Sequence, residues 1–177
     1  MFENPEISLD ALPRVDTVDW HGMDPKFTHH KLTASAIAFA IVLVAVALLQ
    51  TVFRIAFADN PAIGLGWLWL VPLVVGVAGF TWPFVSVPKK GYAVRDKDII
   101  YKSGVFWRTV TAIPFNRIQH VEKSSTPLDR HYHLATLQLF TAGGAGGDLK
   151  IHGLSAKTAE KLRTFILNKV GSSVEDD

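Results

Sequence analysis

The chain of 177 residues contains no cysteine. Disulfides, thiolate nucleophiles, iron–sulfur clusters and cysteine-ligated zinc are excluded at once. Charge is scarce as well. Only 19% of residues are Asp, Glu, Lys or Arg, and the formal net charge is +2. That balance carries no electrostatic footprint for nucleic acid. A phosphate-cradling loop is missing too. Gly143-Gly144-Ala145-Gly146-Gly147 has the glycines, but no Lys-Ser/Thr follows them and no helix pattern comes next. It reads as a hairpin turn. Apolar residues make up 49% of the chain and concentrate between Lys31 and Lys89. Little chain remains for a large soluble core.

Two uncharged runs dominate what is there. Between Lys31 and Arg54 lie 22 residues without charge, LTASAIAFAIVLVAVALLQTVF. As a helix they would extend roughly 33 Å at 1.5 Å per residue, enough for a hydrocarbon core of about 30 Å. The run begins too far in and is too long for a cleaved signal peptide. From Asn60 to Pro88 another 29 residues are uncharged. The expected spans are about 32–53 and 65–85. Trp67 and Trp69 mark one interface of the second span and Trp82 the other, where an indole buries its ring and keeps its N–H near water. Gly76, Ala78 and Gly79 form a thin face against which the first helix can pack. Pro72 is expected to kink the first turns. Lys26 and Lys31 precede the first span, and Lys89, Lys90 and Arg95 follow the second. The connecting loop has only Arg54 and Asp59. This bias predicts a multi-pass protein of the bacterial cytoplasmic membrane with both termini in the cytoplasm.

Residues 1–30 hold six acidic residues, two basic residues and three prolines, with no sustained periodicity. They read as a mostly irregular cytoplasmic lead. His21, His29 and His30 lack the spacing of a metal site, since adjacent histidines project differently on regular backbone. No metal is expected, and no cofactor.

After Lys90 the pattern becomes β-rich. Strands are expected at 92–95, 99–102, 105–113 and 118–123, with the clearest alternation at Thr136–Thr141 and a return strand at 148–152. Leu137 and Leu139 should face a core with Leu149 or Ile151, leaving Phe140 outward beneath an arm, a second subunit or the membrane, unless a bulge before Gly143 turns it inward. Asp129 and Arg130 are expected in a turn, with His131 and His133 opening a strand. Ser155 is placed to cap a final helix. Ala159, Leu162, Phe165, Ile166 and Val170 recur at helical spacing, and Gly171 is expected to end it. The fold class is therefore α+β: a two-helix transmembrane hairpin at 31–88, an antiparallel β domain at 89–170 closed by a C-terminal helix on its Leu162–Phe165–Ile166 stripe, and an acidic tail at 171–177.

The string GYAVRDKDIIYKSGVFWRTVTAIPFNRIQHVEKSSTPLDRHYHLATLQLFTAGG, followed by DLKIHGLSAKTAEKLRTFI, resembles the membrane-anchored bacterial pleckstrin-homology-like family of the YdbS-like type. The resemblance covers roughly residues 30–170 and includes the hairpin. It is strongest at Pro114–Val121, Leu134–Leu137 and Thr141–Gly144. It implies a PH-like barrel of seven strands with a C-terminal helical cap. It brings no catalytic residues and no agreed ligand. The family has a glycine just before the Leu-Ala-Thr-Leu string, where this chain has His133.

Asp129, His131 and His133 lie near Ser124, Ser125 and Thr126, yet nothing marks a hydroxyl as an activated nucleophile. No enzyme activity and no small-molecule substrate are expected. Basic charge stands out instead. Between Lys89 and Lys123 eight Lys or Arg face three Asp or Glu. Lys89, Lys90, Arg95, Lys97 and Lys102 are the candidate contacts to anionic lipid, each worth about 1 kcal/mol near a charged leaflet. The leading expectation is a noncatalytic membrane-anchored scaffold whose PH-like domain binds other membrane proteins or its own copies. The alternatives are an accessory subunit of a transport or export complex and a module that binds anionic membrane lipid.

Overall fold

A computed structural model of the chain describes residues 18–56, 66–141 and 149–175, with side chains as far as Val170. Two helices lead. α1 spans Lys26–Ala56 and α2 spans Leu70–Ser86, with a 3-10 turn before α2 at Gly66–Trp69 and another after it at Val87–Lys89. Both segments are long and apolar enough to cross a membrane. They pack through the small residues. A Cβ on Gly76 would meet the Phe39 ring at 2.8 Å, and one on Gly79 would meet Ser35 at 3.4 Å. Trp69 Nε1 donates to Gln50 Oε1 at 3.0 Å near the loop end of the pair. Pro72 occupies the first turn of α2, where its absent N–H removes little.

α1 begins earlier than the uncharged run. Lys26–His30 are its first turn rather than irregular lead, with the Asp24 carboxylate accepting from the Lys26 N–H. Just before it, β1 (His21–Gly22) pairs antiparallel with β2 (Gly91–Val94), His21 opposite Tyr92. The residues before α1 and after α2 are thus hydrogen-bonded neighbours. β3 (Asp98–Ser103) and β4 (Thr109–Pro114) complete an antiparallel sheet of order β1-β2-β3-β4. β5 (Ile118–Ser124), β6 (Leu134–Thr141) and β7 (Leu149–Ser155) form the second sheet. α4 (Ala156–Glu175) lies across them. Among the described residues seven strands make two sheets that strand pairing does not close, and the first strand comes from ahead of the helix pair.

The core lies between the sheets and α4. Ile99, Ala135, Leu137, Leu139, Ile151, Leu154, Ala159 and Ile166 are all sealed from solvent. Strand alternation delivers Leu137 opposite Ile151 and Leu139 opposite Leu149, as the sequence pattern requires. Phe140 does face outward, and its cover is the His120 ring across the strand pair, 5.6 Å away. The glycine turn 143–147 lies outside the described residues.

Several local expectations change. The 105–113 stretch is a strand only from Thr109. Gly104 has φ +107, and a Cβ there would collide with the Trp107 carbonyl at 1.7 Å, so the chain turns tightly at 104–108. Asp129 and Arg130 belong to a short helix, α3 (Pro127–His131). Thr126 Oγ1 accepts from the Asp129 N–H, and the Asp129 carboxylate accepts from the Thr126 N–H, a reciprocal capping box. His131 ends that helix, and His133 takes φ +57 before β6 opens at Leu134. That is a left-handed position, which glycine adopts without a Cβ penalty and histidine does not. Gly171 does not end α4, which remains helical to Glu175.

Of the expected Leu162–Phe165–Ile166 stripe, Ile166 is buried, Leu162 partly so, and Phe165 is not. Ser155 Oγ accepts from the Thr158 N–H at 3.0 Å and caps α4. Ile166 and Ala159 are fully buried, and Leu162 packs partly against them. Phe165 is 40% exposed and meets the Phe115 ring edge-on at the rim. One helical step, about 100°, separates the two positions, which leaves Ile166 as the plug and Phe165 at its edge. In thermal unfolding of the full chain in detergent, Ile166→Ala should cost about 2–5 kcal/mol as a large-to-small core change. Phe165→Ala should cost less, and exposed Lys157→Ala should stay within about 0.5 kcal/mol. A Phe165→Ala loss equal to that of Ile166→Ala would refute this packing.

Candidate functional site

Alternation along β7 puts Lys150 and His152 on the same outward face, opposite the core residues Leu149 and Ile151. The strand is bulged at this place. Its register against β6 shifts between Ala135 and Leu137, leaving Gly153 at φ +77. The Phe27 side chain of α1 fills the space where a Gly153 side chain would be, its Cγ lying 2.4 Å from an ideal Cβ. The Asp24 N–H donates to the Gly153 carbonyl at 2.9 Å. Phe27, Val87 and Leu134 form a small second core with Met23 and Tyr132, and Thr33 and Tyr132 share a hydroxyl bond of 2.5 Å. The first turns of α1 are thereby fixed to the sheet domain.

This joint gathers charge. Lys31 and Lys90 stand over the Phe27 ring, 5.2 and 5.6 Å from its centroid. Together with Lys150 and His152 they line a cleft of about 500 Å³ between the helix pair and the sheets. The same cleft is also lined by Ser35, Gly79 and Trp82 of the helices. A neighbouring cleft of about 380 Å³ shares Lys31, Lys150 and His152 and continues to His30 and Asp129. Burial, then the nearby Lys31, push the Lys90 ammonium below its ordinary pKa. Solvent reaches part of the His152 ring. Even so, partial burial followed by the charges of Lys90, Lys31 and Lys150 lowers its pKa, with Asp129 opposing. Thr136 Oγ1 lies 3.1 Å from His152 Nδ1 and holds the ring in place.

The Asp129 carboxyl has its own commitments. Burial raises its pKa, but hydrogen bonds from the Thr126 hydroxyl and N–H outweigh that, aided by His30 and His152, so the net shift is downward. His30 Nε2 lies 3.0 Å from Asp129 Oδ1, outside hydrogen-bond geometry. Ser125 Oγ donates to the Leu134 carbonyl. Asp129, Ser125 and Thr126 thus each make a bond that shapes the α3 turn. His131 stacks edge-on against Tyr132. His21 leans on Tyr92, while His29 is exposed on α1.

The five basic residues singled out in the sequence separate. Lys90 lies in the main cleft. Lys89 and Lys102 line a smaller groove of about 240 Å³ with Arg108, and Lys102 also stands 4.2 Å from the Trp20 ring centroid. Arg95 and Lys97 are at the opposite end of the β2–β3 hairpin, about 13 Å along the strand at 3.3 Å per residue. There Arg95 is tied to Asp98, with Nε donating to Oδ1 at 2.7 Å. Sequence reasoning missed Lys150 and His152 as cleft residues and treated Lys31 only as a topology signal. The alternation of β7 pairs the first two on one face, but nothing local announces that α1 arrives there.

Residues 25–170 match the bacterial PH domain family. The UPF0699 transmembrane protein YdbS of Bacillus subtilis (strain 168) is 31% identical over 147 residues, which cover 83% of this chain and 87% of that protein. No solved structure gives a significant match.

The depressed pKa values of His152 and Asp129 make the fold sensitive to acid. A group whose folded pKa lies below its unfolded value stabilises the fold above the unfolded pKa and loses that contribution as pH falls through the folded one. His152 acts first, below about 6.5, and Asp129 below about 3.9. The thermal midpoint should therefore drop between pH 7 and pH 5, and His152→Gln should flatten that part of the profile. Parallel profiles for both proteins would contradict the assignment.

Proposed function

From the premise that the chain belongs to the bacterial PH domain family, we propose that it is a noncatalytic membrane-anchored adaptor whose PH-like domain takes an anionic lipid headgroup into the Lys31–Lys90–Lys150 cleft. The observation that carries this is the cleft itself. Three ammonium groups and His152 line it together with Gly79 and Trp82 of an apolar helix. A phosphate-bearing headgroup offers charge to the first set while its acyl region meets the second. α1 and α2 cross the bacterial cytoplasmic membrane, with both termini on the cytoplasmic side. The pairing of β1 with β2 supports this, because it needs both helix ends on one face of the bilayer, and the lysine bias makes that face cytoplasmic.

A scaffold role is the second reading. β4 is the last strand of its sheet, and Val110 on it is 50% exposed. A strand from a second copy, or from another membrane protein such as a transporter, can add there through backbone hydrogen bonds.

Linkage tests the headgroup reading. An anion held beside His152 should raise its pKa, because it cancels the lysine charges that lower it. In nanodiscs, changing phosphatidylcholine for phosphatidylglycerol should raise the His152 pKa seen by NMR more than that of His120, which lies on the other strand edge. Lys90→Gln with Lys150→Gln should abolish the excess. Equal shifts at both histidines would leave only a general surface potential and defeat the cleft. The topology has its own check. A reporter active only outside the cytoplasm should be silent when fused at Val170 and active when inserted at 58–62. Activity from Val170 would reverse the orientation.

A further inference from the structure

The most exposed aromatic residues of the β domain are next to one another. Phe106 is 78% exposed and Trp107 is 86% exposed, both at the tip of the β3–β4 turn. Their placement is built in, since Gly104 at φ +107 permits the tight turn that presents them. The tip is not directed away from the helices. Phe106 stacks on Trp82 of α2, with ring centroids 6.1 Å apart and planes 29° apart, and Trp107 meets Phe106 edge-on. Trp82 lies seven residues before Lys89, so the tip sits about 10 Å further along the helix axis than the lysines that end the apolar segment. On the groove beside the turn are Lys89, Lys102 and Arg108.

We infer that the β3–β4 turn is a membrane-inserting wedge: Phe106 and Trp107 enter the boundary between headgroups and acyl chains of the leaflet that α2 leaves, and pin the β domain against it. The occupant of this apolar surface is lipid. Two observations select it over a second protein. The surface is continuous with the Trp82 face of a helix that already crosses the bilayer. It is also edged by three cations that suit phosphate groups at the height where they would lie. Indole and phenyl rings favour this layer because it receives an apolar body and a polar edge together. The inference rests on α2 crossing the membrane as proposed above, but it does not require an anionic headgroup in the lysine cleft.

The absence of cysteine makes a direct test available. Trp107→Cys and Asn116→Cys are each labelled with a nitrobenzoxadiazole maleimide in the otherwise intact chain and placed in nanodiscs. Asn116 is exposed at the opposite end of β4 and serves as the aqueous reference. The label at 107 should emit to the blue of that at 116. Lipids carrying a doxyl group near the top of the acyl chain should quench it at least twofold more. Both results should hold in phosphatidylcholine as well as in phosphatidylglycerol, so failure of the headgroup reading would leave them unchanged. Emission at 107 matching that at 116 would place the tip in water and overturn the wedge. Blue emission without doxyl quenching would assign the tip to a protein partner and overturn it equally. Because the label is itself apolar, Phe106→Asp supplies the second variant. It should weaken quenching at position 107, and unaltered quenching would show the label, rather than the native tip, seeking the lipid.

Discussion

The packing of Phe27 on Gly153 is the contact from which the functional geometry follows. Gly153 is the one place on β7 where a side chain is forbidden twice, by its positive φ and by the ring that occupies the Cβ position. That double exclusion lets a helix end approach strand backbone closely enough for the Asp24 N–H to reach the Gly153 carbonyl. Beside it, the two helices and the two sheets are joined through the short Val87–Lys90 connection, the two residue pairs of β1 with β2, the Thr33–Tyr132 bond and the Phe106–Trp82 stack. With the Phe27 contact, the helix pair and the β domain share a small core, and the space left beside that core is the lysine cleft.

The parts of this architecture written in local sequence were the easiest to read. Two long uncharged runs need no partner to be recognised, because bilayer thickness sets their length. The core of the second sheet was equally legible, since period-two alternation decides which of Leu137, Gln138 and Leu139 turns inward. Short signals were harder. Thr126-Pro127-Leu128-Asp129 carries a helix N-cap, a proline at the first helical position and a carboxylate three residues after the cap, yet a five-residue helix leaves no periodicity to draw attention to them. Val105-Phe106-Trp107 reads as strand by side-chain propensity. One positive φ at Gly104 overrides three β-favouring side chains. Phe165 and Ile166 fall on the same hydrophobic stripe, and only the angle at which α4 crosses the sheets decides which becomes the plug.

The candidate site was legible in chemistry but not in membership. Counting basic residues after the second run marked a cationic stretch of the chain. Proximity in sequence then grouped Arg95 and Lys97 with Lys89 and Lys90, although a four-residue strand is enough to carry them to the far end of the hairpin. The residues that do converge come from positions 31, 90, 150 and 152. Their meeting depends on a bulge, a positive φ and an aromatic ring from another element, and no periodicity along the chain encodes such a long-range coincidence.

Like charges held together oppose folding, so the cleft has to be stabilised by something other than itself. Lys31 and Lys90 lie over one Phe27 ring, whose electron-rich face offsets part of their repulsion. The carboxylate within reach of His152, Asp129, already accepts two bonds from Thr126 and faces His30, so it neutralises the lysines poorly. Burial first, and the neighbouring lysine charges second, disfavour the charged forms of Lys90 and His152. An arrangement of this kind binds an anion with a gain that an evenly paired surface lacks, because the incoming charge relieves repulsion already present in the folded state. The same packing that brings the lysines together therefore gives the proposed headgroup its selectivity: a neutral lipid can fill the volume of the cleft, but it leaves that repulsion in place.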